Sequence, residues 1–146
     1  MRRPRLTIMP LLLGLLLAWS GSALAQGDAK ITQMLVESYD LLEAGKLDQA
    51  KAVFRQILQL DSGNPVALNN LGAVMVKEKK YQEALHYLEQ ALPRARGYKE
   101  MVNRVCAVDG LCLAFRPLQE VYGDQDLEPL VQFNIDMVKA RLATRE

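Results

Sequence analysis

The 146 residues predict an all-α fold built from stacked helical hairpins. From Pro65 to Leu92 apolar residues step at i, i+3, i+4 and i+7, the period of an amphipathic helix. They run first through Ala67, Leu68, Leu71, Val74 and Met75, then through Tyr81, Ala84, Leu85, Leu88, Ala91 and Leu92. Only the polar run Lys77–Lys80 separates the two stripes, with no run of strand formers. The pattern also recurs upstream. Leu47 and Tyr81, Ala50 and Ala84, Phe54 and Leu88, Ile57 and Ala91, and Leu58 and Leu92 each lie 34 residues apart, and a fixed period of that length marks a repeat array.

The stretch resembles the tetratricopeptide repeat family. In 65–98 the likeness rests on Leu68, Leu71-Gly72, Lys79 at the turn, Tyr81, Ala84, Leu88 and Ala91-Leu92. In 31–64 it rests on Met34, Gly45, Leu47, Ala50, Phe54 and Ile57-Leu58, with Glu37-Ser38 where the family has Leu-Gly. The family's Pro near the repeat end is Ser62 in one unit and Arg96 in the other. The resemblance implies two hairpins in a short right-handed superhelical array whose first helices line a concave face. It implies a non-catalytic adaptor that binds a peptide or helix of another protein there. Carried over position by position, that face holds Thr32, Leu35, Tyr39, Leu42 and Glu43, then Val66, Asn69, Ala73, Val76 and Lys77. Two readings stand. These side chains either contact a partner, with Asn69 bonding a peptide backbone, or Leu35, Leu42 and Val76 pack on a neighbouring helix of the chain itself. One subclass of the family clamps a terminal carboxylate with Lys and Asn. Leu35 and Tyr39 stand at the corresponding places and only Asn70 matches, so that mode is not carried over.

Residues 1–25 read as an export signal. Arg2, Arg3 and Arg5 form a positive n-region, Leu11 to Trp19 a short apolar core, and Ala23-Leu24-Ala25 an A-x-A site before Gln26. The core is about ten residues, against about 20 for a spanning helix. Cleavage near Ala25-Gln26 places the chain in the periplasm or outside the cell, and its contact with a membrane ends with the signal. A retained signal is the competing reading, which makes the chain a membrane-anchored assembly factor.

Residues 26–98 hold the two repeats. Asp28 is placed to cap a first helix that runs to about Glu43. Ala44-Gly45 ends it, since Gly takes the left-handed C-cap cheaply. Asp48 opens a second helix that ends near Leu60, and Asp61-Ser62-Gly63-Asn64 is a loop. Pro65 starts the third helix where a missing amide hydrogen costs nothing. Gly72 sits mid-helix, which suggests close packing.

The repeat fails after Leu92. Pro93 disfavours helix for the residue before it, and Arg94-Ala95-Arg96-Gly97 reads as a basic, flexible connector. From Tyr98 the pattern restarts a helix through Met101, Val102 and Val105. Val108-Asp109-Gly110-Leu111 signals a turn, and Arg116-Pro117 a break. Residues 99–146 thus read as a degenerate or capping region. A last helix near 126–143 carries Leu127, Leu130, Val131, Ile135, Val138 and Leu142 as its stripe, with Pro129 in its first turn. About three repeats are needed to bury a stable core. This helix is therefore the candidate cap, and self-association is the other solution.

The chemistry is mostly negative. Formal net charge is +1 and becomes −2 once Arg2, Arg3 and Arg5 are removed, so nucleic acid is not an expected partner. There is no phosphate loop, no H-E-x-x-H and no C-x-x-C-H. His86 is the sole histidine and lies beside an apolar stripe, which makes no metal site by itself. Glu78 and Glu83 fit solvated helix faces. No nucleophile with a base is found, so no enzyme, cofactor or metal is expected. Cys106 and Cys112 support a rival reading as a thiol-disulfide protein, but C-x5-C is a weak motif. An export compartment favours a bridge between them, and on one helix the thiols would stand about 120° apart. A bridge therefore needs a turn over 106–112.

Overall fold

The computed structural model describes residues 18–98, 102–105, 114–117 and 126–144. The chain divides into two units, Met1–Lys30 and Ile31–Glu146. The described part of the first unit is helical from Ala18 onward. Five helices and one two-stranded ribbon are described: α1 (Ala18–Glu43), α2 (Leu47–Leu60), α3 (Pro65–Lys77), α4 (Tyr81–Ala95), β1 (Val102–Val105), β2 (Ala114–Pro117) and α5 (Glu128–Ala143). The architecture is the expected helical array, with the ribbon between its fourth and fifth helices.

Helix α1 begins earlier than the sequence suggests. Asp28 lies inside it rather than at its cap, because Ala23, Leu24, Ala25 and Ala29 are strong helix formers that carry the helix across Gly27. Its end is as expected. Gly45 takes φ +74, its amide donates to the Leu42 carbonyl at 3.1 Å, and the Lys46 amide donates to the Leu41 carbonyl at 2.9 Å. That pair of bonds is a Schellman motif. The end of α3 repeats it 34 positions later. Lys79 takes φ +60, its amide donates to Val76 at 2.9 Å, and the Lys80 amide donates to Met75 at 2.8 Å. The same backbone turn is thus built once on Gly and once on Lys.

The second helices repeat each other as well. Helix α2 buries Ala50, Phe54 and Ile57, and α4 buries their counterparts Ala84, Leu88 and Ala91 together with Tyr81. Between them α3 is buried all round, from Pro65 to Val76. A helix apolar on every side needs neighbours on every side, and α3 packs on α2, α4 and β2. Asn64 caps it, accepting from the Ala67 amide at 3.0 Å. At Gly72 an added Cβ would stand 2.9 Å from Leu88 Cγ and 3.3 Å from the Ala84 carbonyl oxygen. That glycine lets α3 and α4 approach closely.

Three local expectations after Leu92 are corrected. Helix α4 continues through Pro93 to Ala95, since the proline ring is exposed near the helix end and only one ladder bond is lost. The connector at Arg96-Gly97 is anchored. Arg96 forks onto Glu128 at 2.8 and 3.0 Å, and the Gly97 amide reaches Asp126 at 3.3 Å. Residues 102–105 are a strand, not a helix, paired antiparallel with β2 in the register Val102↔Pro117 to Val105↔Ala114. Val102 and Val105 are β-branched and suit a pleated surface, and Pro117 ends the ribbon at an edge. Helix α5 then packs on α4 with Val131, Ile135 and Val138 buried.

Candidate partner-binding face

Each candidate position of the first-helix face can be placed. Leu35, Tyr39 and Leu42 fall on one stripe of α1, and Val66, Asn69, Ala73 and Val76 on one stripe of α3. All seven are buried, and none is more than 2% exposed. Glu43 is exposed, while Thr32 and Lys77 are half-buried. Lys77 Nζ donates to the Leu42 carbonyl at 3.4 Å, which ties the end of α3 to the end of α1. The face therefore has a buried floor and a polar edge at Glu43 and Lys77.

The chain itself lies against this floor. Strand β2 packs on α3, and Ala114 is buried in the same core cluster as Val66, Ala73, Val76, Tyr39 and Leu42. From α5, the Asn134 side-chain amide donates to Asn69 Oδ1 at 2.8 Å, and Asn69 donates onward to Asn70 Oδ1 at 3.2 Å. All three asparagines are wholly buried. At Asn69 the contact is thus one made within the chain. Asn134 is the residue that sequence reasoning missed. Its signal was present, since it interrupts the apolar stripe between Val131 and Ile135, where a buried amide demands a buried partner.

A second polar cluster joins the repeats. Glu78 accepts from Lys51 and pairs with Lys80 at 2.8 Å, and Lys51 also pairs with Asp48 at 2.9 Å. The Glu78 side chain is 17% exposed, so it does not stand on a solvated face as its sequence context suggests. Lys51, then Lys80, hold the Glu78 carboxyl below its ordinary range, and Glu78, then Asp48, raise the Lys51 ammonium. At the α4–α5 junction Arg96 lowers the Glu128 carboxyl in the same way. Glu83 is exposed.

These groups serve cohesion and give no acid–base or nucleophilic pair. Among the described residues no cluster of three His, Cys, Asp or Glu could hold a metal ion. His86 is exposed, its ring tilted at 57° to that of Tyr87 with centroids 6.1 Å apart. No described helix is long and apolar enough to cross a membrane. Cys106, Cys112 and the turn expected between them lie outside the described residues.

Residues 41–107 match the family model described as Tetratricopeptide repeat. The match runs from the last turn of α1 through α2, α3 and α4 to just beyond β1, and it supports a tetratricopeptide repeat protein. Such repeats are in general non-catalytic modules that bind other proteins. No curated protein and no solved structure matches the chain.

Proposed function

We propose, from a tetratricopeptide repeat protein with an export-type leader, a non-catalytic adaptor of the cell envelope that binds a peptide or helix of another protein. The observation that carries this reading is the repeat array itself. The proposed domain plan is a signal over 1–25, repeats over 31–64 and 65–98, and a capping region over 99–146. The proposed contact surface is the first-helix face, entered at the Glu43–Lys77 edge. Tyr39, Leu42, Asn69, Ala73 and Val76 form its floor, so a partner that reaches Asn69 must displace the Asn134 side chain bonded to it.

Export is supported by the n-region, the short apolar core and the Ala23-Leu24-Ala25 site. Trp19 is the only tryptophan, so the processed chain has tyrosine emission alone. Intact mass of protein recovered from the envelope tests processing, and a mass that retains residues 1–25 contradicts it. Binding is tested with the purified chain as bait in envelope extract. A Glu43→Lys/Lys77→Glu edge variant should lose the partners that the unaltered chain captures. Equal capture by both would contradict this use of the face.

A further inference from the structure

The N-terminal end of α1 is the part of the fold that processing would remake. Helix α1 is continuous from Ala18 to Glu43 and so crosses the Ala25–Gln26 bond. In the uncut helix the Gln26 amide belongs to the i→i−4 ladder and is held by the turn before it. A cut after Ala25 removes that turn. Gln26 then becomes the first residue of the chain, and the leading amides of the shortened helix have no intrahelical acceptor. The packed core starts further on. Ala29 and Lys30 are exposed, the repeat-bearing unit begins at Ile31, and Leu35 is the first residue after them that is buried. The new end is therefore unrestrained by packing where a glutamine has chemistry of its own. A free α-amine reaches the side-chain amide carbon of the same glutamine, and their union closes an unstrained five-membered lactam.

We propose that residue 26 of the processed chain is a pyroglutamate, a proposal that rests on the export reading above. The α-amine nitrogen of Gln26 attacks its own Cδ and forms the N–Cδ bond. The Cδ–Nε2 bond breaks, and Nε2 leaves as ammonia with the proton that the α-amine gives up. The step is intramolecular and uses no oxidant, reductant or second substrate. It opens only after the cut, because in the intact chain that nitrogen is an amide and not a nucleophile. Closure has two consequences. It removes the terminal ammonium, a cation that opposes the positive end of the helix macrodipole. It also removes the free amine that aminopeptidases grip, at a chain end where trimming starts.

The test expresses the full chain with its leader and reads the intact mass and the N-terminal sequence of protein recovered from the envelope. The mass should be that of a chain beginning at residue 26, lighter by one ammonia. Stepwise N-terminal sequencing should release nothing until a pyroglutamyl aminopeptidase removes the first residue, and should then read Gly27, Asp28 and Ala29. Gln26→Asn keeps the amide but would need a strained four-membered ring, so it should retain its ammonia and sequence directly. Gln26→Ser has no amide to close and should do the same. A recovered chain that begins at Gln26 with its ammonia retained would overturn the cyclisation and leave the export reading standing. A chain that begins at another residue beyond 26 would do likewise. Loss of ammonia that persists in Gln26→Asn or Gln26→Ser would place the reaction elsewhere and overturn the assignment to Gln26. A mass that retains residues 1–25 would overturn both this proposal and the reading beneath it.

Discussion

Asn134 on α5 and Asn69 on α3 stand 65 residues apart in sequence and 2.8 Å apart through their side-chain amides, both wholly buried. The bond links the last helix to the centre of the array. Asn134→Leu keeps the branched shape but removes the donor to a buried carbonyl, which costs about 1–3 kcal/mol. The double variant Asn69→Leu/Asn134→Leu should recover part of that loss, because replacing both partners by apolar groups can be nearly neutral. Denaturant melts of the four forms give the cycle. Additive losses would show that the two amides do not act as a pair.

Gly72→Leu should destabilise the fold by about 1–3 kcal/mol through overpacking. The side chain would begin 2.9 Å from Leu88 Cγ, where α3 and α4 meet. Combining it with Leu88→Ala should lessen the loss, as the smaller neighbour yields space. Thermal melts of both forms check this, and an unaltered melt of Gly72→Leu would place the two helices farther apart.

Lys79 holds φ +60 at the position where the first repeat has Gly45. A left-handed conformation costs an L-residue about 1–2 kcal/mol. Lys79→Gly should therefore stabilise the protein by roughly 1 kcal/mol, reduced by the added freedom of the unfolded glycine. Gly45→Ala should have the opposite sign. Measured unfolding midpoints that move in the same direction for the two variants would contradict the shared turn.

The Lys51–Glu78 pair gives stability a defined pH window. Glu78 is held below its ordinary value of 4.5, so its contribution is present above that pH and fades as pH falls through the lower folded value. Lys51 is raised above 10.5, so its contribution is present below that pH and fades as pH rises through the higher folded value. Each limb is worth about 1 kcal/mol or less for a pair of this exposure. Glu78→Gln should flatten the acid limb of a pH–stability profile and Lys51→Met the alkaline one. Unchanged profiles would show that the cluster adds nothing.

The helices of the two repeats were legible because 34-residue periodicity and local end signals agree. Gly45 ends one helix and Pro65 opens another, and burial of Ala50, Phe54, Ala84 and Leu88 follows the stripe. The burial of Leu35, Tyr39 and Leu42 on one stripe of α1 follows their spacing. The partner of Asn69 was not legible, because Asn134 comes from a distant segment and no local pattern records that pairing. Strand β1 was misread for a related reason. Met101, Val102 and Val105 share a helical spacing, while a four-residue strand becomes stable only beside β2. The start of α1 was misread because Asp28 is a good cap residue in isolation, yet the residues before it are helix formers too.

The central structural claim is that the chain's own C-terminal region lies against the first-helix face and completes the array. Truncation after Arg96 removes β2, α5, the Asn134–Asn69 bond and the partner of Arg96. Helix α3 then loses its contact with β2, and two repeats alone fall short of the roughly three a stable array needs. Thermal unfolding and size-exclusion measured together on full-length and truncated protein decide the matter. The account predicts a truncated chain that aggregates or melts without a cooperative transition. A truncated chain that stays monomeric and melts as cooperatively as the full one would contradict it.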